Sequence, residues 1–165
     1  MNLRLRFCSV ILSAALLAAA APSQDHTAEF RARFDKETDP VRKAKLLSPL
    51  SDAEFQDIQT LLAAENLTEA SAVAGHVADE AEEALKALDA KGRDPEKNPQ
   101  GYKQAEISVR SSLRRMNDLL VGLPADDQKP FMDARNRLDE VDRKLIHDLF
   151  PRQPDAEPAP AAPKR

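Results

Sequence analysis

Residues 67–88 read LTEASAVAGHVADEAEEALKAL, and the spacing within them decides the fold. Leu67, Ala74, Ala81 and Leu88 recur every seven residues, with Ala70, Val77 and Ala84 between them. Apolar positions at steps of three and four share one face of an α-helix. The arrangement returns with Tyr102, Val109, Met116 and Leu123, flanked by Leu113 and Leu120, and again with Phe131, Leu138 and Leu145, with Ala134 and Val141 between. Three successive segments of about 20–25 residues therefore carry a heptad-like, coiled-coil stripe, each about 30–38 Å long as a helix. Gly92-Arg93-Asp94-Pro95 through Pro99 and Gly122-Leu123-Pro124 through Asp127 separate them. Links this short predict antiparallel neighbours. Folding 67–90 back on 99–122 about a midpoint near residue 96 sets Lys86 near Glu106, Glu82 near Arg110 and Asp79 near Arg114, all opposite in sign. Pro130 is expected in the first turn of the last helix, where its missing N–H costs little.

Upstream the pattern predicts shorter pieces. A helix over about 27–37 places Phe30 and Phe34 one turn apart. Asp39-Pro40 reads as an N-cap followed by proline at the first helical position. The helix it opens carries Val41, Ala44, Leu46 and Leu47, and Ser48-Pro49 is expected to end it. Ser51-Asp52-Ala53-Glu54 has the form of a capping box. It starts a helix with Phe55, Ile58, Leu61 and Leu62 on one face, running to about Ala64. Asn66, with Glu69 three residues on, marks a further cap and a break. No alternating run of β-branched or aromatic residues lasts five positions, and the chain has only four glycines. The expectation is an all-α fold over residues 27–150: an elongated antiparallel bundle of three long helices preceded by two or three short ones.

Both termini differ from this domain. Met1 to Arg6 carry Arg4 and Arg6 and no acid; Phe7 to Ala21 are an apolar stretch ending in four alanines, and Pro22-Ser23-Gln24-Asp25 are polar. This order is that of a secretory signal peptide, and the stretch is short of the roughly 18–20 apolar residues of a spanning helix. Cleavage after Ala20 is preferred to Ala21, because the latter would put Pro22 beyond the scissile bond. The expected domains are thus a signal peptide over 1–20, a flexible leader over 21–26, the helical domain and a disordered tail over 151–165. That tail has five prolines in 15 residues and no large apolar side chain. Cys8, the only cysteine, lies at the start of the apolar stretch and leaves with it, so the exported chain has no thiol.

Removing residues 1–20 changes the composition. The whole chain is 42% hydrophobic; in the remaining 145 residues 54 belong to that class, and 22 of these are alanine. Leu, Ile, Val and Phe then number 29, about a fifth of the exported chain, at the edge of what buries a conventional core. Charge falls to 22 basic against 28 acidic residues, a net of −6, which disfavours nucleic acid as a partner.

Candidate chemistry is sparse. His76, Asp79 and Glu80 share a helix face and could hold a metal ion, but no third residue type completes a ligand set, and a solvated histidine beside acids is the simpler reading. His26 sits in the leader and His147 opposite the Leu138, Val141, Leu145 stripe. Ser108, Ser111 and Ser112 lie in a helix with no strained turn to expose a nucleophile. Arg110, Arg114 and Arg115 form a basic cluster that the hairpin register pairs with acids. Asn66-Leu67-Thr68 matches a glycosylation acceptor. No catalytic, cofactor or metal site is assigned, and an enzyme is not expected.

Leu50-Ser51-Asp52-Ala53-Glu54 and Leu123-Pro124-Ala125-Asp126-Asp127-Gln128 resemble the Leu-Thr-x-x-Gln helix starts of periplasmic proteins of the Spy and CpxP type, although the first lacks both the threonine and the glutamine. The resemblance implies an exported, all-α, cysteine-poor chaperone or stress-sensor module. The residues themselves point to a non-catalytic binding or scaffolding protein of the bacterial cell envelope, periplasmic or extracellular. It would have a protein partner or self-associate through helix faces, with no transmembrane segment after signal cleavage.

Overall fold

The computed structural model describes residues 22–151, with residue 93 left out. The residues read as a signal peptide, Cys8 among them, and residues 152–165 of the expected tail lie outside this range. Five helices follow one another: α1 (Pro22–Lys36), α2 (Pro40–Ala63), α3 (Leu67–Asp89), α4 (Gln100–Gly122) and α5 (Ala125–Leu149). Among the described residues there is no strand, so the all-α expectation holds. No described helix is long and apolar enough to cross a membrane.

Most positions of the stripes read from the sequence are buried, Leu67 and Leu123 only partly. Ala70, Ala74, Val77, Ala81, Ala84 and Leu88 on α3 are each 3% exposed or less, and Leu67 is partly covered. Tyr102, Val109, Leu113, Met116 and Leu120 are buried on α4, as are Phe131, Ala134, Leu138, Val141 and Leu145 on α5. On α1, Phe34 is fully buried, and the Lys43 ammonium of α2 sits 4.6 Å from its ring centre. α1 begins at Pro22, inside the segment read as a leader.

Two readings of the first half are corrected. Ser48-Pro49 does not end a helix and Ser51 does not cap one, because α2 runs unbroken from Pro40 to Ala63 with Pro49 inside it. Proline at 49 removes the hydrogen bond to the Lys45 carbonyl. Lys45 and Ser48 are exposed, so water can serve that carbonyl, while Leu47, Leu50 and Ile58 bury the opposite face and hold the helix straight through. Pro130 is the sixth residue of α5, past the first turn, and likewise removes a helical bond.

The caps agree better with the sequence. Asp39 accepts a hydrogen bond from the Arg42 N–H at 2.9 Å, and Asn66 accepts from the Glu69 N–H at 3.3 Å. Between α2 and α3 the Asn66 N–H donates to the Leu61 carbonyl and the Glu65 N–H to that of Leu62. These two bonds make a Schellman turn, with Glu65 at φ +57° in the left-handed position that glycine usually fills.

The helix pairing departs from the expected hairpin. Glu82 and Asp79 pair with Arg137 of α5, Arg110 pairs with Glu106 of its own helix, and Arg115 pairs with Asp52 of α2. α2 packs chiefly against α1, α3 and α4, and α5 against α3 and α4, leaving α3 and α4 with the slightest contact of any packed pair. Named contacts give the directions. Asp79 and Glu82 meet Arg137, and Asp89 meets Lys144, so α3 and α5 run parallel. Val41 approaches Gly101 and Asp52 meets Arg115, so α2 and α4 also run parallel. Asn117 bonds Arg135 while Tyr102, one turn-rich end away, senses Asp148, so α4 and α5 are antiparallel. The link from α3 to α4 thus crosses a diagonal. At its end Gly101 packs closely: a Cβ there would lie 2.5 Å from Leu88 Cδ2 and 3.3 Å from Val41 Cγ2, so a larger residue would push the Leu88 side chain aside.

Two substitutions test these local costs. Pro49→Ala should stabilise the protein by about 1–3 kcal/mol, since interior proline costs about 3 kcal/mol relative to alanine. Glu65→Gly should add about 1 kcal/mol by relieving the left-handed residue. Thermal or urea unfolding reads both; an unchanged or lowered stability for Pro49→Ala would show that α2 does not bear the proline as a cost.

Candidate functional site

The apolar stripe of α2 contains an anomaly. Leu47, Leu50 and Ile58 are spaced at helical intervals, and the position between them is Glu54, which is fully buried. The matching stripe of α3 carries Glu80 between Val77 and Ala84, 7% exposed. The two carboxyls meet where α2 packs on α3, and Asp57 is buried nearby in sequence on the same helix. Arg31 reaches in from α1. Its Nη2 donates to Glu54 Oε1, its Nε donates to Glu80 Oε1 at 3.1 Å, and Nη2 also lies 3.0 Å from His76 Nδ1. That last contact requires His76 to accept through Nδ1 and so to carry its proton on Nε2.

Burial raises both carboxyls above their ordinary range, because the charged form loses water. Glu80 is pushed up to about 9 by desolvation and by the neighbouring Glu54 carboxylate, against the opposing pull of Arg31. Desolvation beside the Glu54 carboxylate thus favours the protonated form of Glu80, which can donate that proton to Glu54. Without it the Oε2 atoms of both residues would be buried and unpartnered. One proton and one guanidinium thus serve two acids. The cluster locks α1 across the α2/α3 seam.

The residues singled out in the sequence are dispersed. Glu80 turns into the seam, His76 faces Arg31, and Asp79 turns to Arg137, so the three do not converge on one point. Among the described residues no three His, Cys, Asp or Glu side chains are placed to hold a metal ion. Ser108 and Ser112 are buried on α4, and the Ser108 hydroxyl lacks a partner. His147 is exposed beside Asp148. Asn66 is occupied as a helix cap. Of the arginine cluster, Arg114 alone makes no ion pair among the described residues. Leu50–Glu54 lies within a helix, whereas Leu123–Gln128 does form a helix start, its Gln128 side chain donating to the Leu123 carbonyl at 3.0 Å.

An open groove of about 890 Å³ lies between the C-terminal halves of α2 and α4. Phe55, Leu62, Leu119 and Leu123 give it apolar surface, and Asp52, Gln56, Gln59, Arg115 and Asp118 give it polar groups. The Arg115 guanidinium stands 5.5 Å from the Phe55 ring centre while pairing with Asp52. The sequence places Phe55 only on the apolar face of its helix, with Ile58, Leu61 and Leu62. A smaller cavity of about 440 Å³ at the opposite end is bordered by Lys91, Lys97 and Lys103.

Comparison with protein families, with curated proteins and with solved structures finds no match.

The carboxyl pair predicts a pH dependence. Glu80 releases its proton near 4.5 in the unfolded chain and near 9 in the folded one. The folded state binds more protons between these values, so its contribution to stability is full below about pH 4.5 and is lost as pH rises toward 9. The melting temperature should fall from pH 5 to pH 9, and Glu80→Gln, which keeps a donor without a titrating group, should flatten that fall. An equal slope in the variant would remove Glu80 as its source.

Proposed function

We propose that this chain is an exported helical-bundle protein of the bacterial cell envelope that binds or scaffolds another macromolecule without catalysing a reaction. The observation that carries this reading is the groove between α2 and α4. Its volume is of the size of ligand sites, yet it is open and has both acidic and basic edges beside an aromatic floor. Mixed charge with side-chain amides suits a polypeptide segment, whose backbone and side chains offer donors and acceptors of both kinds. An anionic polymer would meet Asp52 and Asp118 as well as Arg115. The signal-like residues 1–20 support export, and the net charge of the remaining chain supports a protein partner over nucleic acid.

A second reading is a periplasmic chaperone or stress sensor of Spy/CpxP-like character. It is favoured by large apolar side chains left exposed on α4 and α5, among them Val121 and Met132.

A photo-crosslinking residue at Gln59, on the groove, should trap a discrete partner in intact envelopes, and the same residue at Glu140 should not. Equal or absent adducts at both positions would remove the groove as the binding surface. The chaperone reading instead requires the purified protein to suppress aggregation of an unfolded client without ATP.

A further inference from the structure

The point at which the chain leaves α5 is fixed by named contacts. Lys144 of α5 and Tyr102 of α4 both donate to Asp89, the last residue of α3, at 3.1 and 3.2 Å. Pro151 therefore follows α5 at the end of the bundle where α4 starts, beside the smaller cavity and its lysines. Lys91 and Lys103 there, and Lys45 on the adjoining stretch of α2, are exposed and make no ion pair among the described residues. The acids nearby are mostly taken: Lys97 holds Asp94 and Arg42 holds Asp39, which leaves Glu96. This end of the α2/α4 face thus carries an excess of free ammonium groups. The face then runs into the groove. Arg115 lies 12 residues past Lys103 on α4, about 18 Å along the helix, and is paired with Asp52. Asp118 apart, the groove offers mainly donors: the Arg115 guanidinium and the side-chain amides of Gln56 and Gln59.

Residues 151–165 read PRQPDAEPAPAAPKR, so the acids Asp155 and Glu157 come first and six uncharged residues, Pro158 to Pro163, follow. Proline has no N–H, so such a segment presents mostly carbonyl acceptors, and as a polyproline helix it advances about 3.1 Å per residue. Asp155 lies about 12 Å past Pro151, enough to cross one helix spacing of about 8–10 Å to Lys103. Glu157 lies about 6 Å further on. Val41 packs against Gly101, which sets Lys45 about 3–5 Å further along the face than Lys103. Pro158 to Pro163 then fall about 9–25 Å past Asp155, a span that brackets Arg115. We infer that residues 152–165 fold back along the α2/α4 face and cover the groove, with Asp155 on Lys103, Glu157 on Lys45 and Pro158–Pro163 over Arg115 and Gln56. This deepens the reading of the groove as a polypeptide site and rests on it: the chain carries its own competitor, which a partner must displace. Exposed ion pairs hold weakly. A segment tethered this closely has an effective concentration on the order of millimolar, so a contact of millimolar intrinsic affinity is about half closed and yields readily to a better ligand.

A photo-crosslinking residue at Gln56 in the purified full chain tests this. Mass spectrometry should recover residues 153–164 joined to position 56 within one chain. An equal mixture of isotope-labelled and unlabelled protein should give no mixed adduct. Lys45→Glu with Lys103→Glu should cut the tail adduct by about threefold or more, and adding Asp155→Lys with Glu157→Lys should recover part of it. Both lysines are exposed, so the variants keep the fold, as circular dichroism will show. Absence of a tail adduct, or adducts only between copies, would overturn the inference. A Lys45→Glu, Lys103→Glu chain that crosslinks as well as the parent would overturn the stated register. The purified chain holds no other macromolecule. A tail adduct there, with nothing trapped at Gln59 in envelopes, therefore removes only the proposed partner, and the converse removes only the fold-back.

Discussion

The alanines of α3 set how closely its neighbours can lie. Ala70, Ala74, Ala78, Ala81 and Ala84 are all 3% exposed or less, and none projects beyond its Cβ. Close approach raises dispersion contact per residue and compensates for the shortage of large apolar side chains. The same seam buries Glu54 and Glu80, whose side chains are 0% and 9% exposed. Their carboxyls must be served by Arg31 and by a retained proton, so the chemistry of the α1 lock follows from the thinness of the α2/α3 seam.

Much of the fold is legible because stripes are a property of single helices. The seven-residue recurrences on α3, α4 and α5 depend only on backbone periodicity, and their buried residues match the reading nearly position by position. Asp39 and Asn66 were legible as caps for the same local reason. The failures lie where a local signal competes with burial. Ser48-Pro49 and Ser51–Glu54 have the chemistry of a helix end and start, but the apolar face of α2 continues across them, and that burial outweighs one lost bond.

The helix pairing was not legible, and the reason is energetic. Surface ion pairs are worth about 0–1 kcal/mol each, and a chain with this many charges offers several registers with matching signs. Arg137 competes for Asp79 and Glu82 as readily as Arg110 and Arg114 would. Glu54 and Glu80 carried a usable signal: each occupies a position inside an apolar stripe, and an acid there needs a partner from elsewhere in the chain. The groove carried none, since Phe55 and Arg115 meet only through the parallel pairing of α2 with α4.

The diagonal passage from α3 to α4 also governs the order in which the core can close. α3 can dock on α2 by a short antiparallel link, and α5 on α4 likewise, so two local pairs can form early. The parallel contacts, α2 with α4 and α3 with α5, join residues some 55–63 positions apart, as Asp79 with Arg137 and Asp52 with Arg115 show. Their closure carries most of the loop entropy, so contact order makes the meeting of the two hairpins the expected slow step of folding. Gly101, packed against Leu88 and Val41 at the start of α4, lies where the link between those two hairpins ends.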